Sequence, residues 1–162
     1  IINPSLLSSR QCAGESAPPI TQVKIYFAGS IRGGRGDQQK YYDLIDFIST
    51  KAEVLTEHVG SESLQDLGEN KLTDMQIYQR DMEWLESADA MIAEVTTPSL
   101  GVGYELGVAE KRNKPILCLF DQRNQEQCLS AMLSGNSKFK NFSYQSIDQA
   151  KQKIAEFLSS TL

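Results

Sequence analysis

A chain of 162 residues, 40% hydrophobic and 23% charged, has the size and composition of one globular domain with a sizeable core. The formal net charge of −5 argues against a protein held to nucleic acid by a broad basic surface. No apolar run approaches the roughly 18 residues that a membrane-spanning helix needs. We therefore expect neither nucleic acid nor a membrane as a partner. The single histidine, His58, excludes a metal site built from several histidines.

The first segment, residues 1–22, is rich in Ser, Pro and small polar residues and lacks the apolar centre of a secretory signal. We expect it to be a disordered tail. Regular apolar runs begin at Val23, so residues 23–162 are predicted to form a single α/β domain. The three cysteines lack metal-ligand spacing, which favours a reducing compartment. We expect the protein in the cytoplasm, with the nucleus as a second location.

Five short apolar runs, each followed by a helical pattern, predict strands that alternate with helices. The strands are expected at residues 23–29, 52–58, 88–95, 114–120 and 140–145. The helices are expected around residues 41–48, at 73–87 and 101–112, within 124–134, and after a capping box formed by Ser146 and Gln149. This alternation predicts a doubly wound, flavodoxin-like three-layer sandwich with a five-stranded parallel sheet.

The first predicted strand runs into the glycine-rich segment GSIRGGRG, residues 29–36. Its spacing is neither the dinucleotide-binding fingerprint nor a P-loop. The glycines allow the backbone to approach a ligand closely, and the Ser and Arg side chains donate hydrogen bonds that suit a phosphate. The segment therefore predicts a phosphate site, and a solvated turn is the alternative interpretation.

The helix predicted at residues 73–87 carries a carboxylate within an apolar stripe. Asp81 has Ile77 and Leu85 as neighbours four residues before and after it. A charged group in such a stripe needs a partner or a wet pocket. Asp81 is therefore a candidate catalytic carboxylate that faces a cleft. A local ion pair, or a helix rotated to expose it, would explain the residue equally well.

The turn TTPSLGVGYELG, residues 96–107, joins the third predicted strand to the third helix, where ligands bind in folds of this kind. Glu105 lies in the first turns of that helix. We expect the helix N-terminus to lower the pKa of Glu105 and keep it ionised. Together with Asp81 it would supply the two carboxylates that flank a glycosidic bond during cleavage. An ordinary helix start, with a Glu that suits the helix dipole, is the alternative.

Further polar residues lie in or at the ends of the predicted strands. Tyr26 lies within the first strand, so its hydroxyl needs a partner, for which a carboxylate of the cleft is one candidate and ordinary core packing the alternative. Glu57 and His58 end the second strand and could line the pocket, and a structural role is the alternative for His58. Asp89 begins the third strand at the opposite edge, and Glu94 lies near its end.

Several motifs together resemble the 2′-deoxynucleoside 5′-phosphate N-hydrolases of the nucleoside 2-deoxyribosyltransferase superfamily. They are YFAGSIRGGR (26–35), VLTEHV (54–59), the helix that carries Asp81 and Trp84, AEVTTPSLGVGYELG (93–107) and KPILCLF (114–120). The resemblance covers residues 23–134 and, more loosely, the last helix. It implies cleavage of the N-glycosidic bond of a 2′-deoxynucleoside 5′-monophosphate, which releases the base and 2-deoxyribose 5-phosphate.

The resemblance also implies roles for single residues. Glu105 matches the nucleophile that forms a covalent deoxyribosyl intermediate, Asp81 matches the carboxylate that assists the leaving base and the arriving water, and Tyr26 matches a tyrosine that orients the nucleophile. The positions that match substrate-binding residues are Gly29, Ser30, Ile31, Arg32, Gly33, Gly34, Arg35, His58, Ser99 and Gly101. Ser130, with Ala131 and Met132, matches a segment that reaches the phosphate from the neighbouring subunit of a homodimer. No metal or organic cofactor is implied.

Two other functions remain open at this point. Transfer of deoxyribose between bases would use the same nucleophile on unphosphorylated nucleosides, although the GSIRGGR loop and Ser130 favour a phosphorylated substrate. A non-catalytic nucleotide-binding module would be expected to lack Glu105 or Asp81, and both are present. The preferred base is not predicted, because it depends on pocket shape, which we expect residues 59–72 and the dimer contact to set.

Overall fold

The computed structural model describes residues 22–30, 38–56, 72–123 and 128–161. Its five strands form one parallel sheet in the order β2-β1-β3-β4-β5, which is the flavodoxin-like order. The strands are β1 Lys24–Ala28, β2 Glu53–Val54, β3 Ala90–Glu94, β4 Ile116–Asp121 and β5 Phe139–Tyr144. The helices are α1 Gln38–Ser49, α2 Asp74–Ser87, α3 Leu100–Lys111, α4 Ala131–Ser134 and α5 Ile147–Thr161. The predicted fold class is confirmed.

Helices cover both faces of the sheet, and the alternation of side chains along β1 shows how. Ile25 and Phe27 pack into a core with α1 and α5, whereas Tyr26 and Ala28 pack into a second core with α2 and α3. A strand directs successive side chains to opposite faces, so the sequence of β1 fixes which core each residue enters. Tyr26 thereby faces the helix that carries Glu105.

Strand β2 is shorter than predicted, and beyond its end the Thr56 side chain forms the hydrogen bonds to β1. Leu55 still donates its N–H to the Ile25 carbonyl at 3.0 Å. Beyond it, the Thr56 hydroxyl accepts from the Phe27 N–H at 2.9 Å and donates to the Phe27 carbonyl at 2.6 Å. The remainder of the predicted strand, residues 57 and 58, lies outside the described residues.

The helix caps agree in part with the sequence patterns. At the start of α2, Thr73 forms a reciprocal capping box with Gln76. At α5, Ser146 accepts from the Gln149 N–H, but the Gln149 side chain accepts from Gln145 instead, so the predicted reciprocal bond to Ser146 is wrong. Helix α4 is confined to four residues, shorter than the apolar pattern indicated.

The start of β3 bears out the position expected of Asp89. Its carboxylate accepts the Lys24 N–H at 2.8 Å, at the edge of the sheet where β1 begins. Asp89 thus ties two strands together at the edge away from the carboxyl ends, which excludes it from the candidate site. Across the described ranges, no helix is long and apolar enough to cross a bilayer.

Candidate active site

A buried tyrosine and a carboxylate meet at the centre of the candidate site. Tyr26 projects from β1 and is only 2% exposed. Its hydroxyl donates a hydrogen bond of 2.9 Å to Glu105 Oε1 on α3. The partner expected for this phenol is therefore a carboxylate of the cleft. Burial, followed by the charges of Glu105 and Asp81, raises the pKa of Tyr26, so the hydroxyl retains its proton and acts as a donor.

The protonation of Glu105 differs from the expectation. Burial raises the pKa of Glu105 to about 7, the Tyr26 hydrogen bond opposes this rise, and the charge of Asp81 adds to it. Helix α3 begins at Leu100, so Glu105 lies beyond the first turn, where the field of the helix terminus has fallen off. The predicted lowering of the pKa by the helix N-terminus is therefore wrong, because desolvation outweighs the dipole.

Asp81 lies on α2 close enough to influence both groups, and it has a partner on its own helix. Arg80 donates from Nε and Nη2 to Asp81 Oδ1, at 2.9 and 2.8 Å. The Arg80 guanidinium lies over the Trp84 ring, 4.5 Å from its centroid. The local ion pair considered for Asp81 is thus present. The Asp81 side chain is only 19% exposed, and its charge still adds to the raised pKa of Glu105.

The described part of the glycine-rich loop is packed against α1. A Cβ added to Gly29 would lie 3.0 Å from the Tyr41 ring, so the ring occupies the space that only glycine leaves free. The buried Ser30 donates its N–H to the Tyr41 hydroxyl at 3.1 Å. The candidates outside the described residues are Ile31, Arg32, Gly33, Gly34, Arg35 and His58.

Ser99 caps the helix that carries Glu105. Its hydroxyl accepts from the Val102 N–H at 3.4 Å, and because it is the acceptor there, its own proton remains for a bond elsewhere. Gly101 follows in the exposed first turn, where an added Cβ would lie 3.7 Å from Ser99 Oγ. The predicted substrate contacts therefore lie at a helix N-terminus, a position that suits an anionic or polar ligand.

The segment Ser130, Ala131 and Met132 is exposed, with Met132 81% accessible. Ser130 precedes α4 without a side-chain hydrogen bond to that helix. Leu133 fastens α4 to the domain, since its side chain packs against the core and its carbonyl accepts from Asn141. Among the described residues, no hydrogen bond or ion pair joins this segment to Glu105, whose bonding partner there is Tyr26.

One buried polar cluster escaped the sequence analysis. Lys40 Nζ lies 3.3 Å from Glu94 Oε1 and 4.0 Å from Asp121 Oδ2, where β3 and β4 end. Thr96 and Tyr144 donate to the same Glu94 oxygen. Glu94 is fully buried, and burial raises its pKa against the opposing charge of Lys40. The signal in the sequence is a charged residue, Glu94, that interrupts an apolar strand.

The arrangement as a whole suits substitution at a sugar carbon. It brings together a buried carboxylate, a phenol that donates a hydrogen bond to it and a second carboxylate, where β1 faces α2 and α3. Such a set can stabilise an oxocarbenium-like transition state and handle protons. Within the described ranges, no group of three or more His, Cys, Asp or Glu side chains could hold a metal ion.

Comparison with known proteins agrees with this geometry. A family model described as nucleoside 2-deoxyribosyltransferase matches residues 25–154. The chain is 51% identical over 115 residues to the 5-hydroxymethyl-dUMP N-hydrolase of Danio rerio, and the match covers 71% of this chain and 80% of that protein. It is 44% identical over 140 residues to the enzyme of the same name from Tetraodon nigroviridis, and this match covers 85% of this chain and 98% of that protein.

A solved structure of a CMP N-glycosidase from Clostridium botulinum shares the architecture. The TM-score is 0.58 at 20% sequence identity, and the match covers 83% of this chain and 98% of that one. At this identity the likeness shows the common fold.

Proposed function

We propose that this chain, which belongs to the nucleoside 2-deoxyribosyltransferase family, hydrolyses the N-glycosidic bond of 2′-deoxynucleoside 5′-monophosphates to free base and 2-deoxyribose 5-phosphate. The observation that carries the proposal is the hydrogen bond from Tyr26 to Glu105, with Asp81 beside it. That set of groups matches what cleavage at an anomeric carbon requires.

In the first step, ionised Glu105 attacks C1′ of the deoxyribose. The C1′–N bond breaks with its electron pair moving to the base, while an ester forms between Glu105 and C1′. Water then attacks C1′ and releases Glu105 as a carboxylate, and the proton of that water passes through Asp81 to the base. The Tyr26 hydroxyl holds Oε1, which leaves Oε2 to approach the sugar.

The 5′-phosphate would be bound where β1 ends. We assign it to Gly29 and Ser30, with the following residues of the loop, Ile31 to Arg35, as further donors. Support comes from the packing of Tyr41 against Gly29 and its bond to Ser30, which fix the start of this loop. Ser99 and Gly101, at the start of α3, would contact the nucleotide from the other side.

The first substrate to test is 5-hydroxymethyl-dUMP, because both curated relatives described above carry its name. Release of free base would be followed by chromatography for this nucleotide, for the common deoxynucleoside monophosphates and for the matching unphosphorylated nucleosides. We expect base release from the monophosphates by the wild type and its loss in Glu105→Ala. Activity confined to unphosphorylated nucleosides, or undiminished turnover by Glu105→Ala, would contradict the proposal.

We further propose a homodimer in which Ser130, Ala131 and Met132 complete the site of the neighbouring subunit. Support comes from the exposure of Met132 and of large apolar side chains on α2 and α3, namely Met75, Tyr78, Leu100 and Tyr104. Mixed dimers of Glu105→Ala and Ser130→Ala subunits would carry one intact site and should recover activity that neither variant has alone. Light scattering that shows a monomer at assay concentration would rule this out.

The cytoplasmic and nuclear location expected from the sequence stays a prediction.

Deoxyribosyl transfer is the second candidate, because the matching family model carries that name. Both activities share the glutamyl intermediate and differ in whether water or a second base resolves it. Adding a competing free base separates them. We expect 2-deoxyribose 5-phosphate as the main product, and a new nucleotide or nucleoside as the main product would favour the transferase.

A further inference from the structure

We propose that Arg80 is a positioning residue that holds the Asp81 carboxylate in the orientation the reaction needs. The inference rests on the proposed function, because it concerns the second carboxylate of that site. Arg80 acts on Asp81 and does not itself contact the reacting atoms.

The hydrogen bonds select one oxygen of Asp81. Both Arg80 donors, Nε and Nη2, reach Oδ1, at 2.9 and 2.8 Å. Within the described ranges, Oδ2 accepts no hydrogen bond, so it is the oxygen left to exchange protons with the leaving base or with water. Two hydrogen bonds to one oxygen restrict the rotation of a carboxylate about its last bond, and catalysis gains from groups held in one orientation.

Trp84 in turn fixes Arg80. The guanidinium lies 4.5 Å from the centroid of the indole ring, one helical turn further along α2. Trp84 packs against the core that α2 and α3 share with the sheet. A chain of contacts therefore runs from the core through Trp84 and Arg80 to Asp81.

The spacing of the pair argues against a role in helix stability alone. Side chains at i and i+1 of a helix do not face each other, and helix-stabilising ion pairs have spacings of three or four residues. Arg80 reaches Asp81 because its side chain folds back over the Trp84 ring. Both charges also lie close enough to Tyr26 to shift its pKa in opposite directions, which places the pair near the tyrosine that donates to Glu105.

The test is a double-mutant cycle measured as initial rates of base release. We expect Arg80→Met to lower kcat by about 10-fold to 100-fold, the range that misplacement of a catalytic group produces, with little change in KM. Arg80→Lys keeps the charge and should recover part of that loss. In the Asp81→Asn background, Arg80→Met should have no further effect, because the group it positions is already absent.

Arg112→Met is the matched control, since Arg112 forms an exposed ion pair with Glu86 at the far ends of the same two helices. Its melting temperature should resemble that of Arg80→Met, while its kcat should equal that of the wild type. An equal loss from Arg80→Met with and without Asp81, or a loss confined to KM, would show that Arg80 binds substrate directly and would overturn the inference. An unchanged kcat in Arg80→Met would overturn it as well. Absence of base release by the wild type would instead overturn the proposed function, and this inference with it.

Discussion

Removal of the Tyr26 hydroxyl should shift the pH at which the enzyme becomes active. In the proposed reaction Glu105 must be ionised to attack C1′. Burial raises the pKa of Glu105 to about 7, and the Tyr26 hydrogen bond opposes that rise. Tyr26→Phe keeps the ring and removes the donor. Hydrogen bonds to charged groups contribute about 1.5–3 kcal/mol, and one pKa unit corresponds to about 1.4 kcal/mol. The pKa of Glu105 should therefore rise by about one to two units in the variant.

The assay is the pH dependence of kcat/KM, which reports the groups of the free enzyme. The wild type should gain activity as the pH rises through about 7. Tyr26→Phe should gain activity at a pH at least about one unit higher. At pH 6 the smaller ionised fraction of Glu105 should therefore lower its kcat/KM at least about 10-fold, and this difference should disappear in alkaline solution. Tyr144→Phe is the control, because this buried tyrosine donates to Glu94 instead, and it should leave the acidic limb in place.

Either of two results would refute the reasoning. If the kcat/KM of the wild type rises near the ordinary pKa of a glutamate, burial does not govern the pKa of Glu105. If Tyr26→Phe leaves the pH of this rise unchanged, the hydrogen bond at 2.9 Å does not stabilise the ionised carboxylate. A uniform loss at every pH would assign Tyr26 to orientation alone.

Three further substitutions test the packing around the site. Glu105→Gln should raise the free energy of unfolding by about 1–3 kcal/mol at pH 8 but not at pH 4. The wild type loses stability as the pH rises from the usual carboxyl pKa through about 7, because the buried Glu105 then becomes ionised. Thermal melts of both proteins at both pH values measure the difference. Lys40→Met should lower the free energy of unfolding by about 3 kcal/mol or more in urea titrations, since the substitution leaves Glu94 buried without the Lys40 cation. Adding Glu94→Gln to the same chain should restore part of the loss. Gly29→Ala should cost about 1–3 kcal/mol by the same measurement and raise KM, because the new Cβ displaces the Tyr41 ring.

The fold and the partner of Tyr26 could be predicted because both follow from local periodicity. Alternation along β1 decides which side chains face α2 and α3, and a buried phenol requires an acceptor there. The apolar spacing of α1 and α5 likewise predicted buried positions such as Leu44 and Ile154, which the structure confirms.

The features that could not be predicted depend on contacts between distant segments. The pKa of Glu105 is governed by desolvation, and this depends on how α2, α3 and the sheet close around it. Lys40 would be an ordinary solvated residue on a free helix, and it is buried only because the ends of β3 and β4 meet α1. The bond from Arg80 to Asp81 has no periodic signature, since adjacent helical residues diverge.

The Thr56 hydroxyl has a consequence for how such an enzyme can change its substrate during evolution. By bonding both the N–H and the carbonyl of Phe27, its side chain satisfies the backbone of β1 just beyond the end of β2. Insertions, deletions or a grafted sequence in residues 57–71 can then be accepted without a shift in the register of β1. Exchange of this segment between relatives that retain Thr56 should change base selectivity while the melting temperature stays within a few degrees of the parent's. Residues 57–71 can thus change in sequence and length, while Thr56 keeps the position of β1 and with it the contact between Tyr26 and Glu105.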